Sequence, residues 1–133
     1  MAADKDKEEF EKTKSKAEKG DRVAQCNLGW FYYKGEGVEQ DFKEAMKWYR
    51  KAAEQGDTKT QFNLGAMYYK GQGVEQDNVA AYAWLNIAAS NGLQNAQKGK
   101  SVVAKEMTAE QITEAEALVK EMVTKNPKLL KKK

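Results

Sequence analysis

An internal repeat of thirty-six residues runs through this chain and limits the folds open to it. Gly20, Gly56 and Gly92 are separated by that interval, and nine of the ten glycines in the sequence follow it. The tetrapeptide Tyr-Tyr-Lys-Gly at 32–35 returns unchanged at 68–71. A period of this length is typical of stacked helical repeats, in which each unit buries its apolar face against its neighbours.

Each repeat is predicted to fold as two helices. Leu28, Gly29 and Tyr32 share one face of the first helix, and Trp48 and Ala52 share one face of the second. A glycine inside a helix costs roughly 1 kcal/mol relative to alanine, so Gly29 indicates that a neighbouring helix approaches too closely for a Cβ. We therefore predict an all-α fold, an α-solenoid of antiparallel helix-turn-helix repeats.

The repeat also organises the chain of 133 residues, which we expect to form a single domain. We predict an N-terminal cap helix at 4–20, repeats at 21–56 and 57–92, a partial repeat with a C-terminal cap helix at 93–124, and a basic tail at 125–133. Because the first of these segments keeps few apolar residues, we expect a weakly packed polar cap.

Charge is unevenly distributed along the chain. The net charge is +3, yet residues 120–133 hold six lysines and one glutamate, which leaves residues 1–119 slightly acidic. A lysine-rich terminus of this kind is typically solvated and frayed, and we expect that here. As an alternative function, such a tail would support weak association with nucleic acid or an anionic membrane surface, although nucleic-acid binding normally needs basic residues gathered on a folded face.

Composition argues against catalysis and metal binding. The chain has no histidine, which removes the commonest general base and a common metal ligand, and Cys26 is its single cysteine. A cysteine nucleophile needs a base that this sequence does not offer, so a packing or groove-lining role is favoured for Cys26. We predict no enzyme activity, no cofactor and no metal. No apolar run approaches the roughly 20 residues of a membrane span.

The repeated pattern is similar to a known family. Leu-Gly-x-x-Tyr-x-x-Gly-x-Gly-Val, followed by Asp, Ala-x-x-Trp and Ala-Ala-x-x-Gly, resembles the Sel-one-like (Sel1-like) repeat, or SLR, a relative of the tetratricopeptide repeat. Two copies carry the pattern, and the resemblance covers about residues 17–124. It implies helix pairs stacked as a right-handed superhelix with the first helices lining a concave face. It also implies an adaptor that binds other proteins and catalyses nothing.

The resemblance also points to a binding groove, because in tetratricopeptide-like folds the stripe beside the buried one faces the concave surface. It implies that Asn27 and Asn63 bond an extended peptide backbone, that aromatic residues anchor a partner, and that lysines select an acidic or C-terminal carboxylate group. For Tyr33 and Tyr69 the alternative is packing between helices. The predicted groove residues are Cys26, Asn27, Trp30, Tyr33, Lys34, Phe62, Asn63, Ala66, Tyr69 and Lys70, with Lys98, Val102 and Lys105 on the third first-helix.

The sequence thus predicts a monomeric adaptor for a protein or peptide partner. The polar start of the chain lacks the apolar segment of a secretion signal. We expect a cytoplasmic location, or a periplasmic or secreted one if an upstream signal has been removed.

Overall fold

The structure, a computed structural model, describes residues 2–131, which form α-helices and no strand. The elements are α1 (Ala2–Glu18), α2 (Arg22–Lys34), α3 (Phe42–Glu54), α4 (Thr58–Lys70), α5 (Asn78–Ser90), α6 (Gln94–Ala104), α7 (Ala109–Lys125) and a 3-10 turn at Pro127–Leu129. α2 packs against α3, α4 packs against α5, and α3 also contacts α4, so the units stack as predicted. Within residues 2–131 no helix combines the length and apolar character that crossing a bilayer requires.

Aspartates and glycines set the boundaries between units. Asp21 and Asp57 cap α2 and α4, since one carboxylate oxygen of each accepts a hydrogen bond of 2.9 Å from the backbone N–H three residues on. Gly56 precedes the second of these caps with φ at 97°, a left-handed conformation that a residue with a Cβ rarely adopts. These local devices explain why the helices begin and end at the same places in each repeat.

The glycine inside each first helix is required by close packing. A Cβ placed on Gly29 would lie 2.5 Å from the Cδ1 atom of Tyr49, and one on Gly65 would lie 2.7 Å from the Cγ atom of Leu85. The second helix of each unit therefore packs directly on the backbone of the first. The predicted close approach is confirmed in both repeats.

The N-terminal cap helix α1 is polar, as expected, but it is anchored at several points. Phe10 is only 5% exposed and meets the ring of Tyr32 edge-on at 5.4 Å between centroids. Ala17 and Thr13 are buried as well, and the buried amide of Gln25 donates to the carbonyl oxygen of Ala17. α1 thus covers the apolar side of the first repeat with few residues.

The last long helix departs from the repeat. α7 packs chiefly against α5, where Ala115 is buried and Val119 and Met122 contact the core. The helix begins with a capping box: the Gln111 side chain accepts from the N–H of Thr108 at 2.9 Å, and the Thr108 hydroxyl oxygen accepts from the N–H of Gln111 at 3.1 Å. Because α7 packs along α5, the residues that follow it reach the junction between α3 and α4.

Residues 126–131 form what we call the C-terminal strap. Leu129 is 3% exposed within the main apolar cluster. Its carbonyl oxygen accepts hydrogen bonds from the side-chain amides of Gln61 at 3.0 Å and Asn91 at 2.8 Å. The side-chain amide of Asn126 donates to the carbonyl oxygen of Glu54 at 2.8 Å. The strap therefore joins elements of both repeats.

The prediction of a solvated, frayed tail is wrong for these residues. Backbone atoms of the strap are engaged: the carbonyl oxygen of Lys128 lies against Gly56, and the N–H of Lys131 donates to the Asn91 side chain. The strap's lysine side chains are exposed, whereas its leucine Leu129 is buried and its backbone is hydrogen-bonded. Composition alone therefore did not indicate that this segment packs on the fold. The last two lysines of the predicted tail, Lys132 and Lys133, lie outside the described residues.

Candidate protein-binding groove

Side chains of α2 and α4 border two adjoining cavities of about 430 and 220 Å³, which share Trp30, Tyr49 and Asn63. We call the two cavities together the α2–α4 groove. Its lining residues are Cys26, Asn27, Trp30, Tyr33, Tyr49, Lys59, Phe62, Asn63, Ala66, Met67, Lys70 and Gln72.

A larger depression of about 680 Å³ lies on α1, but it is a different kind of surface. It is lined by exposed charged side chains of that helix alone, between Asp4 and Lys12. A ligand there would contact one helix and remain open to solvent, whereas the α2–α4 groove has walls from two repeats.

Eight of the ten groove residues predicted for the two repeats line the cavities, and two do not. Lys34 lies beside the groove, with its ammonium nitrogen 5.2 Å from the centre of the Trp30 ring. Tyr69 points elsewhere: its hydroxyl donates to the carboxylate of Glu106, and this bond raises the pKa of Tyr69. Tyr69 thereby connects α4 to the loop after α6.

The two cavities do not extend onto α6. A Cβ on Gly99 would lie 3.4 Å from Leu85 and 3.8 Å from Phe62, so side chains of α4 and α5 pack against α6 at ordinary contact distance. Three residues were predicted to extend the groove on this side. Lys98, Val102 and Lys105 are exposed, and none of them lines the α2–α4 groove.

The aromatic residues at the groove form a connected group. Trp30 is 44% exposed and stacks on Tyr33, with ring centres 6.3 Å apart and planes 12° from parallel. Tyr33 also packs on Phe42 at 5.2 Å and donates its hydroxyl hydrogen bond to Gln72 at 3.1 Å. Tyr33 therefore both lines the groove and packs between elements, while Trp30 presents an exposed apolar face that is already held in place.

The predicted set of groove residues did not include Tyr49, which forms the floor of the groove. It comes from α3, is 2% exposed, and lies under Gly29 where it borders both cavities. Burial raises the pKa of Tyr49 above its usual range, with smaller contributions from Cys26 and Tyr33, which line the same groove. The corresponding residue of the second repeat is Leu85, and that difference between the copies is the signal by which the sequence marks the position.

The environment of Cys26 opposes nucleophilic chemistry. Burial, with a smaller contribution from the carboxylate of Asp57, raises the pKa of the Cys26 thiol to about 11. A nucleophilic cysteine needs a lowered pKa, so this thiol is suited to packing at the groove wall. Among residues 2–131, no group of three or more His, Cys, Asp or Glu side chains is placed to hold a metal ion.

The charged side chains that line the groove are all basic. Lys59 borders the larger cavity and Lys70 the smaller one, and neither cavity is lined by an aspartate or glutamate. The groove thus offers aromatic surface, side-chain amides and positive charge.

A profile of the Sel1 repeat matches residues 22–57 and 58–93, which together make up more than half of the chain. The chain belongs to the Sel1 repeat family. Sel1 repeats are typical of scaffolds for protein–protein interaction. A comparison with curated proteins gives no match.

Solved structures agree with the Sel1 repeat assignment and with the predicted α-solenoid. A protective antigen of uropathogenic Escherichia coli strains that displays an SLR fold is 37% identical, with a TM-score of 0.86 over 92% of this chain and 27% of its own. A Sel1 repeat protein from Oxalobacter formigenes is 43% identical, with a TM-score of 0.60 over 62% of this chain and 24% of its own. The chain spans about a quarter of the length of each of these Sel1 repeat structures.

Proposed function

We propose that this chain is an adaptor that binds an extended segment of a partner protein in the α2–α4 groove. The observation that carries the proposal is the position of Trp30, an exposed tryptophan at the rim shared by the two cavities. Tryptophan is among the residues that dominate interface free energies, because it buries a large rigid surface. Membership of a family of interaction repeats supports the same class of function.

The groove is organised before any partner arrives. Trp30 is held by stacking on Tyr33 and by the ammonium of Lys34, so its ring loses little freedom when a ligand covers it. The amide side chains of Asn27 and Asn63 line the same cavities and can both donate to and accept from a peptide backbone. Hydrophobic anchoring and backbone bonding are together what an extended segment needs.

The test is peptide selection followed by a matched pair of variants on α2. Peptides enriched from a random 12-residue display library against the wild-type protein are measured for affinity against Trp30→Ala and Val23→Ala. Both positions expose an apolar side chain, but only Trp30 lines the groove. We expect at least a tenfold loss for Trp30→Ala and less than a twofold change for Val23→Ala, with unchanged helical circular dichroism. Equal affinity of the selected peptides for Trp30→Ala and wild type would remove the groove assignment.

A further inference from the structure

The helices on the groove side of the solenoid carry positive charge and no negative charge. α2, α4 and α6 contain no aspartate or glutamate. Their basic residues are Arg22, Lys34, Lys59, Lys70, Lys98 and Lys100. A face of one sign attracts segments of the opposite sign and disfavours basic ones, since unlike charges steer association and like charges oppose it.

Acidic side chains lie on the other layer of helices, chiefly on α1 and α7, or in the connecting segments. Asp57 is an acid close to the groove, since its carboxylate acts on the thiol of Cys26 and caps α4 at 2.9 Å from the N–H of Thr60. It directly precedes α4, so it lies near Lys59 and a helix length away from Lys70.

The two lysines of the groove stand at opposite ends of it. Lys59 is in the first turn of α4 and Lys70 is its last residue, so eleven residues separate them. At about 1.5 Å per residue this places their Cα atoms about 16 Å apart. An extended chain advances about 3.3 Å per residue and covers that span in about five residues. Trp30 and Phe62 lie between the two positions along the groove.

The floor of the groove adds a polar requirement. Tyr49 borders both cavities, and its hydroxyl lies close enough to Cys26 and Tyr33 of the groove wall to be affected by them, so an occupant that fills the groove covers this hydroxyl. A buried polar group that remains unpaired is costly, so an occupant that brings a hydrogen-bonding group to Tyr49 gains relative to one that does not.

Resting on the function proposed above, we propose that the occupant is an acidic extended segment. It carries two aspartates or glutamates about five positions apart, and an aromatic or large apolar residue between them that lies on Trp30. One acidic residue faces Lys59 and the other faces Lys70, and a polar group of the intervening stretch reaches Tyr49. Charge-assisted contacts at both ends fix the register, and the central residue supplies the apolar contact.

Selection from a random library measures the charge preference of the groove without assuming a peptide sequence. The same random 12-residue library is selected against three proteins: wild type, the double variant Lys59→Glu with Lys70→Glu, and the control Lys12→Glu with Lys120→Glu. The control makes the same change of charge at exposed lysines on α1 and α7, outside the groove. We expect wild type and control to enrich peptides with paired acids around an aromatic residue, and the groove double variant to enrich basic peptides instead.

Affinity measurements then distinguish the charge preference from the groove function on which it rests. Acidic peptides should bind the groove double variant at least tenfold more weakly than wild type, and the control within twofold, with affinity falling as salt rises. Selected peptides without acidic residues that are lost on Trp30→Ala would overturn the charge inference and leave the groove function standing. Peptides that bind all variants equally, Trp30→Ala included, would overturn both.

Discussion

The side-chain amide of Gln61 donates a hydrogen bond of 3.0 Å to the carbonyl oxygen of Leu129, sixty-eight residues further along the chain. The same amide also donates to the carbonyl oxygen of Ala53, at 3.2 Å. Gln25, thirty-six residues earlier, makes the equivalent bond to Ala17 at 3.2 Å, and its side-chain oxygen accepts from Gln55. Of these two junctions, the second is the one whose side chains bond the carbonyl oxygen of Leu129.

The equivalent residues at the two junctions, Gln55 and Asn91, differ in length by one methylene group. In the first repeat the longer side chain of Gln55 donates both to Gln25 at 2.7 Å and to the carbonyl oxygen of Gly20 at 3.2 Å. Its counterpart Asn91 donates to Gln61 and, instead of a glycine carbonyl, to Leu129 of the strap. The first junction is therefore closed by its own side chains, and the second is completed by the strap.

Leu129→Ala tests the strap. Because Leu129 is buried, we expect its truncation to lower the free energy of unfolding by about 2–4 kcal/mol. Lys131→Ala removes an exposed side chain of the same strap but keeps its backbone bond, and we expect a change below about 0.5 kcal/mol. Urea unfolding followed by circular dichroism measures both. A small effect at Leu129 would mean that the strap is not a structural element.

Gly29→Ala tests the close contact between helices. Its Cβ would lie 2.5 Å from the ring of Tyr49, closer than such atoms can approach, so the ring must shift and we expect a loss of about 1–3 kcal/mol despite the better helix propensity of alanine. Gly99→Ala is the matched control, since its Cβ would lie at ordinary contact distance, 3.4 Å from Leu85. There we expect no loss, and a gain of up to about 1 kcal/mol. Equal effects in the two thermal melts would contradict the packing explanation.

The rate at which Cys26 is alkylated reports the fraction of its thiol that is deprotonated. With a pKa near 11 in the folded protein and 9.0 as the ordinary value, the thiolate fraction at pH 8 falls roughly a hundredfold on folding. We expect iodoacetamide to react far more slowly with the native protein than with the protein in 6 M urea. The native rate should still be rising at pH 10, where the unfolded rate has levelled off. An alkylation rate of the native protein that levels off near pH 9 would mean that burial does not raise the pKa of Cys26.

Tyr49→Phe tests whether the Tyr49 hydroxyl contributes to peptide binding or to the stability of the free protein. Because Tyr49 borders both cavities of the groove, removing its hydroxyl should change the free energy of unfolding of the free protein by less than about 0.5 kcal/mol. The same change should weaken selected groove peptides by about threefold to tenfold, the value of one neutral hydrogen bond. A destabilised free protein would show instead that the hydroxyl is bonded within the fold.

Much of the fold could be read from local signals. The spacing of Leu28 and Tyr32, the caps Asp21 and Asp57, and the interior Gly29 each belong to a single helix or to its immediate flank. Such features act over a few residues, and the thirty-six-residue period makes each of them appear twice. Periodicity marks the stripe beside the buried one, and the resemblance to tetratricopeptide-like folds implied that this stripe faces the groove.

The remaining features depend on contacts between distant residues. Tyr69 follows the pattern of Tyr33, yet its hydroxyl donates to Glu106, whereas Tyr33 donates to Gln72 and lines the groove. Tyr49 has the pattern of a core residue, and its place under the groove depends on how far α2 and α4 stand apart. The composition of residues 125–133 resembles that of a solvated tail, and it conceals Leu129.

The sequence by itself determined the order of the seven helices within residues 2–131, their caps and the buried stripe of each first helix, because these follow from interactions within about one helical turn. The tertiary structure alone decided that the α2–α4 groove is open with Tyr49 at its floor, that Lys98, Val102 and Lys105 lie outside it, and that the strap completes the second junction. Those outcomes depend on packing between residues that are far apart in the chain, where a single methylene or a Cβ decides which side chain fits.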